Sequence, residues 1–300
     1  MKKALVLAGI LGLLYLTPAQ AAEQQIGVYV APKFVYGGTI MSDGKFKTST
    51  SYQGPWWGSA SNGSFSSNGS GDVFGGSIAV GYDFHKRFNV PVRTELEYSI
   101  FSEAKVSGSG SSFAPGPGTA DFGFGVWNMG GFGNTLNNNS MKQYFNIQTL
   151  FFNAYYDFHT GTPFTPYLGG GVGLAFINTR ATNQGSAMMD ITLPGWGPFP
   201  GTDPYDSWKT STGSVTRTNF AWNIGAGVAY NFTENIALDL GYRFVGLGHV
   251  QTKTGSAMSM DGWTRAAGGF AVGGAPTSHS FKGETTLYMH QVSLGLRITF

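Results

Sequence analysis

Apolar and polar side chains alternate with a period of two residues in eight segments of the chain, which is the pattern of β-strands. The alternation is clearest near the end, where Val292, Leu294 and Leu296 share one face and Ser293 and Gly295 share the other. A tilted strand needs about 9–11 residues to cross a bilayer, and each segment is at least that long. The predicted strands span about residues 25–36, 73–84, 92–104, 144–158, 166–178, 218–231, 236–248 and 285–300.

The distribution of side chains between the two faces favours a barrel in lipid. Bulky residues, with aromatic residues towards the segment ends, occupy one face, as membrane girdles require. The other face carries glycine, small polar residues and charges. A soluble β-sandwich also alternates, but this second face would make a poor core for it.

The lengths of the connections alternate as well. Three are short, at His85–Pro91, His159–Thr165 and Thr233–Asn235, whereas four run for roughly 35 to 40 residues. Short periplasmic turns and long extracellular loops are typical of outer-membrane barrels. We therefore predict an all-β fold: a transmembrane antiparallel up-and-down β-barrel of eight strands, with three short periplasmic turns and four long extracellular loops.

The first residues read as an export signal. Lys2 and Lys3 precede the apolar stretch Ala4–Leu16, and Ala19 and Ala21 form an A-x-A cleavage site. The alternative is an uncleaved anchor. We expect a signal peptide at 1–21, a barrel domain at 22–300 and a location in the outer membrane of a Gram-negative bacterium.

Composition narrows the function further. The chain has 46 glycines, 15% aromatic and only 11% charged residues, where about 25% charged is usual. Without Lys2 and Lys3, 16 basic side chains balance 16 acidic ones, so nothing favours nucleic acid. With no cysteine, disulfides and thiolate chemistry are excluded.

Several strand segments resemble the opacity-type surface proteins and their relatives, including the N-terminal barrel of the outer-membrane protein A family. The resemblance covers Gly76–Tyr82, Val92–Tyr98, Pro166–Gly173 and Asn235–Phe244, and not the loops. The last seven residues also resemble the C-terminal signal read by barrel-assembly machinery, which ends here in Phe300. The resemblance implies a surface barrel whose partners are outer-membrane lipid, that machinery and a host or cell-surface ligand.

Nine charged residues fall on the inward face by alternation. They make either an ion-selective lumen or a network of ion pairs that plugs the barrel. Eight strands enclose a space that side chains nearly fill, and unpaired buried charges are costly, so we favour the plug. Inward glycines leave a thin water path open, so a narrow porin-like channel for small solutes is the alternative function. The nine residues are Lys33, Asp83, Arg93, Glu95, Glu97, Asp157, Asp239, Arg243 and Arg297.

No catalytic constellation is evident. A deacylase needs a serine beside a histidine, and His249 has none near it in Arg243–Val250. Glu95 and Glu97 share a face, but Arg93 lies beside them. The five histidines lack metal-ligand spacing. We predict no enzyme, no cofactor and no metal site.

The long connections carry most of the tryptophans. Rigid aromatic side chains are common binding anchors, although they could instead pack loop against loop or form the outer membrane girdle. Our leading hypothesis is a non-enzymatic surface protein whose loops mediate adhesion or other surface contacts. The loop tryptophans are Trp56, Trp57, Trp127, Trp196, Trp208 and Trp263.

Overall fold

Most of the described chain is β-strand. The computed structural model describes residues 27–53, 58–114, 119–121, 126–128, 134–193, 197–199, 206–259, 263–265, 271–273 and 277–300. The expected signal peptide at 1–21 and Trp56, Trp57 and Trp196 lie outside these residues, as do the side chains of Trp127 and Trp263.

The secondary-structure elements are strands with a single four-residue helix among the described residues. That helix is too short and too polar to span a membrane. In chain order they are β1 (Val28–Gln53), β2 (Gly58–Ser66), β3 (Gly69–Asp83), α1 (His85–Phe88), β4 (Val92–Phe101), β5 (Ala104–Ala114), β6 (Thr119–Asp121), β7 (Val126–Asn128), β8 (Asn134–Asp157), β9 (Phe164–Leu193), β10 (Gly197–Phe199), β11 (Asp206–Ser211), β12 (Val215–Asn231), β13 (Ile236–Gln251), β14 (Gly255–Ser259), β15 (Trp263–Arg265), β16 (Ala271–Gly273) and β17 (Thr277–Thr299).

Eight of these strands close into an antiparallel ring in the order β1, β3, β4, β8, β9, β12, β13 and β17, with β17 returning to β1. The all-β antiparallel class and the ring of eight agree with the sequence prediction. The outer face of the ring carries bulky apolar side chains such as Phe34 (58% exposed), Leu96 (53%) and Phe220 (66%). A belt of this kind is stable against lipid and costly in water.

β6 pairs with β7, and β15 pairs with β16. Among the described strands these two hairpins pair with no other strand, so they do not enter the ring. The larger difference from the prediction concerns the long connections. We expected loops, but the strands continue far beyond the membrane belt: β8 begins at Asn134 and β9 ends at Leu193. The other ring strands are continued by β2, β5, β11 and β14.

Above the barrel these continuations form two four-stranded sheets. Sheet A consists of β2, β1, β17 and β14, and sheet B of β5, β8, β9 and β11. The sheets face each other, because Trp208 of sheet B stacks on His279 of sheet A with ring centroids 4.0 Å apart. Two sheets packed face to face exclude water as in a β-sandwich. We call this region the extracellular sandwich.

A β-bulge explains why the sequence pattern hides the outer half of β1. The register shifts between Ser42 and Lys45, and Asp43 adopts φ 53° in the left-handed region. An extra residue reverses which positions of the strand point inward. Odd-numbered residues such as Val35 are buried below the bulge, and even-numbered residues such as Phe46 are buried above it. The alternation read from the sequence therefore breaks at the bulge.

The inward face changes character along the barrel axis. Near the periplasmic end it carries charges, but above them lies an apolar core that includes Phe151, Leu247, Leu287 and Met289, each 0% exposed. We expected glycine, small polar and charged residues along this whole face. In the upper half that expectation holds only in part, because buried polar side chains such as Thr39, Gln143 and Thr149 share the interior with the apolar core.

Candidate functional site

Glu97 is the centre of a charged layer in the lower barrel. Its side chain is fully buried and accepts hydrogen bonds from Lys33 Nζ at 2.6 Å, from Ser99 Oγ at 3.0 Å and from Arg243 Nη2. Arg243 also donates from Nε to Gln291. One carboxylate thus balances two cations from strands on other parts of the ring.

Glu95, one layer closer to the periplasm, is equally well satisfied. It accepts from Lys33 Nζ at 2.7 Å, from Tyr155 Oη at 2.8 Å and from Tyr29 Oη at 3.2 Å, while Asn153 donates at 3.3 Å. A carboxylate held by four donors is fixed in place. Because its oxygens are engaged by these donors, it is a structural partner in this arrangement and is poorly suited to act as a general base.

Two further ion pairs complete the layer. Arg93 donates to Asp157 at 3.0 Å, and its guanidinium lies 4.5 Å from the ring centroids of both Tyr155 and Tyr167. This cation is neutralised at its edge and covered on its faces. On the opposite side, Arg297 and Asp239 approach to 3.7 Å.

Eight of the nine charges predicted for the interior therefore come together, and they balance: four cations face four carboxylates. The ninth, Asp83, lies apart. Its Oδ1 accepts from the backbone N–H of His85 at 2.9 Å, so it caps the turn at α1. The sequence reading missed Tyr29, Asn153 and Tyr155, whose neutral side chains carry no charge signal to mark them.

A cavity of about 30 Å³ lies within this layer, bordered by Lys33, Glu97, Tyr167 and Asp239. It has room for about one or two water molecules. Above it, apolar side chains such as Phe151 and Leu287 pack in the interior beside buried polar ones such as Thr149. Ions lose their hydration in an apolar region at a large free-energy cost. The charges of the layer are thus paired, and an apolar cluster packs above them.

No cluster of three or more metal-binding side chains occurs in the part of the chain that the structure describes. Two histidines do meet at the periplasmic end, where the rings of His85 and His159 stack 3.8 Å apart. Burial, with the neighbouring His85 as the second cause, lowers the pKa of His159. Sequence spacing gave no hint of this pair, because the two residues come from different turns.

Trp208 is the one predicted loop anchor whose side chain the structure describes, and it is not at the surface. It is 7% exposed, packs on His279 and fills the space above Gly185, where a Cβ would strike its ring. It holds the two sheets together, so its assignment as a surface-binding residue was wrong. Trp56, Trp57, Trp127, Trp196 and Trp263 stay predictions.

The extracellular hairpins carry charges of both signs in nearly equal numbers. Their sequence has ten basic and nine acidic side chains. The basic residues are Lys45, Lys47, Lys105, Lys142, Arg180, Lys209, Arg217, Lys253, Arg265 and Lys282, and the acidic ones are Asp43, Asp72, Glu103, Asp121, Asp190, Asp203, Asp206, Asp261 and Glu284.

An open groove of about 380 Å³ crosses the outward face of sheet A. Lys47 of β1 and Lys282 of β17 border it and are directly opposite each other in the strand register. Hydroxyl and amide groups of Ser49, Asn62 and Ser280 form much of the remaining wall. Such a surface can donate many hydrogen bonds and two positive charges to a ligand.

Phe300, predicted as the assembly signal, closes the ring at the periplasmic edge. Its backbone N–H donates to the Val28 carbonyl at 2.8 Å, and its carbonyl accepts from Gly27 at 3.3 Å. The ring is 48% exposed on the lipid side. Its reading by assembly machinery stays a prediction.

Comparison with known proteins places this geometry among outer-membrane barrels. A sequence profile of the outer membrane protein beta-barrel domain matches residues 5–300. The outer membrane protein PagN of Salmonella typhimurium is 33% identical over 179 residues, which is 59% of each chain. An uncharacterized protein of Brucella abortus is 29% identical over 154 residues, 51% of this chain and 47% of its own.

The aligned region thus spans only about half to three fifths of the length of these relatives. Among solved structures, Neisserial surface protein A matches with a TM-score of 0.38 and 18% identity, covering 93% of this chain and all of its own.

Proposed function

Because the chain belongs to the outer membrane protein beta-barrel domain family, we propose that it is a non-enzymatic surface protein whose extracellular sandwich mediates adhesion or other surface contacts. The observation that carries this proposal is the sandwich itself. Two ordered four-stranded sheets project from a barrel whose interior is occupied by paired charges and an apolar core. Rigid scaffolds that raise a polar surface are suited to binding partners outside the cell.

The exposed lysine pair on sheet A favours a partner that carries acidic groups. Lys47 and Lys282 oppose each other in the strand register at the border of the groove, and two adjacent cations attract anionic groups, an effect that salt screens. The outward hydroxyl and amide groups suit hydrogen bonding to sugars. An acidic glycan on another cell is the partner class that fits both features.

The narrow channel is the weaker candidate. A conducting pore needs a continuous polar path, and in the described interior Phe151, Leu287 and Met289 pack across the region above the charged layer. The cavity between the charges has room for about one or two waters, which is too little for a hydrated ion. This packing favours a barrel that serves as a scaffold for the sandwich.

The test removes the sandwich and keeps the barrel. The hairpin β1–β2 is shortened between Ser42 and Ser67, and the other three extracellular hairpins are shortened at the matching level. Cells that display the full chain are expected to bind cultured host cells and acidic glycans more strongly than cells displaying equal amounts of the shortened barrel. Equal binding by both would overturn the proposal.

A matched control separates the sheets from the connections between their strands. A second variant keeps both sheets and replaces connecting residues, such as 54–57 and 194–205, with short glycine-serine turns. If adhesion resides on the sheet faces, this variant binds as the full chain does. If it resides on the tryptophans of these connections, Trp56, Trp57 and Trp196, binding falls to the level of the shortened barrel.

A further inference from the structure

The groove on sheet A combines two features that stability alone does not explain. Lys47 and Lys282 are cross-strand partners, and directly opposed side chains in a sheet lie about 4.5–5.5 Å apart at Cβ. Like charges at such positions destabilise the sheet. Lys45, two residues away, is opposed instead by Glu284, so the neighbouring rung is balanced and this one is not.

Neither ammonium group forms an ion pair with a carboxylate among the residues that the structure describes. Both lysines are exposed at the border of the groove. Two adjacent exposed cations make a complementary surface for a doubly charged anion such as a phosphate group.

The strands beneath the lysines are held firmly. On the inward face Phe46 stacks on Phe281 with centroids 5.9 Å apart and an interplanar angle of 2°, and it also stacks on Phe65 at 5.2 Å. Phe46 precedes Lys47, and Phe281 precedes Lys282. Packing on one face therefore fixes the backbone that presents the two cations on the other, which lowers the entropy lost on binding.

The position of the groove points to its ligand. It opens sideways from sheet A, towards the molecules that surround the protein in the membrane. Lys282 is separated by six residues along β17 from Tyr288, an outward-facing aromatic residue that pairs with Ile40 and stacks on Phe244. Aromatic residues of this kind mark the membrane interface, and a tilted strand climbs about 2.5 Å per residue, so we place the lysines about 15 Å above that level. This is the level of headgroup sugars, above the acyl chains.

We propose that the groove binds a phosphate-bearing sugar of the lipopolysaccharide core in the surrounding outer leaflet. Lys47 and Lys282 contact the phosphate oxygens, and Ser49, Asn62 and Ser280 donate or accept hydrogen bonds at the sugar hydroxyls. The groove volume of about 380 Å³ accommodates one or two sugar residues. The interaction would orient the sandwich within the layer of oligosaccharides and is independent of adhesion to another cell.

The test measures binding of purified core oligosaccharide to the refolded full chain by calorimetry. Three probes are compared: the phosphorylated core, the same core after removal of phosphate, and heparin as a foreign sulfated polymer. The phosphorylated core is expected to bind, with an affinity that falls as salt rises. Equal binding of the phosphate-free core would overturn the proposal. So would a stronger, equally lysine-dependent binding of heparin, because the groove would then serve a polymer from outside.

Variants assign the interaction to the two lysines. Lys47→Gln/Lys282→Gln is expected to weaken binding of the phosphorylated core about tenfold or more, and Lys47→Arg/Lys282→Arg to retain it. Lys142→Gln, an exposed lysine on sheet B, is the matched control and should bind like the wild type. Heat-modifiable mobility on gels verifies that each variant is folded. Unchanged binding by the folded glutamine variant would refute the site.

Discussion

Substitution of Glu97 by glutamine tests whether the charged layer is a stabilising plug. Glutamine keeps the size and one carbonyl acceptor but removes the negative charge. Lys33 retains Glu95 as a partner, whereas Arg243 loses the one carboxylate that pairs with it among the described residues and keeps the Gln291 oxygen. The interior would change from four cations and four carboxylates to an excess of one buried positive charge.

The magnitude follows from that uncompensated charge. Breaking a buried ion pair by removing one partner costs about 3–5 kcal/mol. Glu97 is fully buried and bridges two cations, so we expect a loss in the free energy of unfolding within that range. The measurement is urea unfolding of protein refolded in lipid vesicles, followed by tryptophan fluorescence and by gel mobility.

Glu103→Gln is the control for this substitution. Glu103 pairs with Arg180 at 2.9 Å, but the side chains are 26% and 47% exposed. Exposed ion pairs contribute about 0–1 kcal/mol, so this variant should lose little. The double variant Glu97→Gln/Arg243→Gln restores neutrality and should be more stable than Glu97→Gln alone. If Glu97→Gln loses no more than the Glu103 control, the layer is not a plug held by paired charge.

Three other predictions concern the interior, the sandwich and the periplasmic turns. Planar-bilayer recording of the refolded protein should show no reproducible single-channel steps, because Phe151 and Met289 pack above the charges; a stable conductance would contradict the sealed interior. Trp208→Ala should lower the free energy of unfolding by about 3–5 kcal/mol in urea titrations, since it opens a void between the sheets, and a loss below about 1 kcal/mol would argue against that packing. His159→Gln should reduce acid sensitivity. Burial and then His85 lower the pKa of His159 in the folded state, so the unfolded chain takes up protons first and wild-type stability falls as pH drops below 6.5. Equal losses between about pH 7.5 and about pH 5 in both proteins would contradict this.

The membrane part of the fold was predictable because lipid imposes a strict alternation. Residues such as Leu240 and Leu294 face lipid at every second position, and the short turns at His85–Pro91 and Thr233–Asn235 separate the strands clearly. Ring order and strand number follow from that pattern together with the alternating connection lengths.

The extracellular sandwich was not predictable by the same argument. Above the membrane the outward face is no longer apolar, so residues such as Ser140 and Lys142 alternate with Asn139 and Asn137, and the period-two signal in hydrophobicity disappears. The bulge at Asp43 also reverses the inward parity of β1. Serine, asparagine and glycine then look like loop composition, although backbone hydrogen bonds pair them into sheets.

The candidate sites, like the fold, could be predicted from the sequence only in part. Alternation brought together the inward charges from Lys33 to Arg297, because it assigns each to a face without knowing its partner. It could not assign Lys47 and Lys282 to one rung, since that requires the register of β1 against β17 over the outer sheet. Trp208 was misplaced because a loop origin suggested exposure, whereas β11 turns its ring inward.

The central claim is that the long connections form ordered sheets on a closed barrel, and amide hydrogen exchange in lipid bilayers tests it most directly. The compared regions are the outer strand segments 45–50, 137–143 and 279–283, and the transmembrane segments 94–98 and 238–244. Paired, buried strands are expected to show protection in the outer segments that approaches that of the membrane segments. Exchange of the outer segments within seconds, as for unpaired loops, would contradict the account.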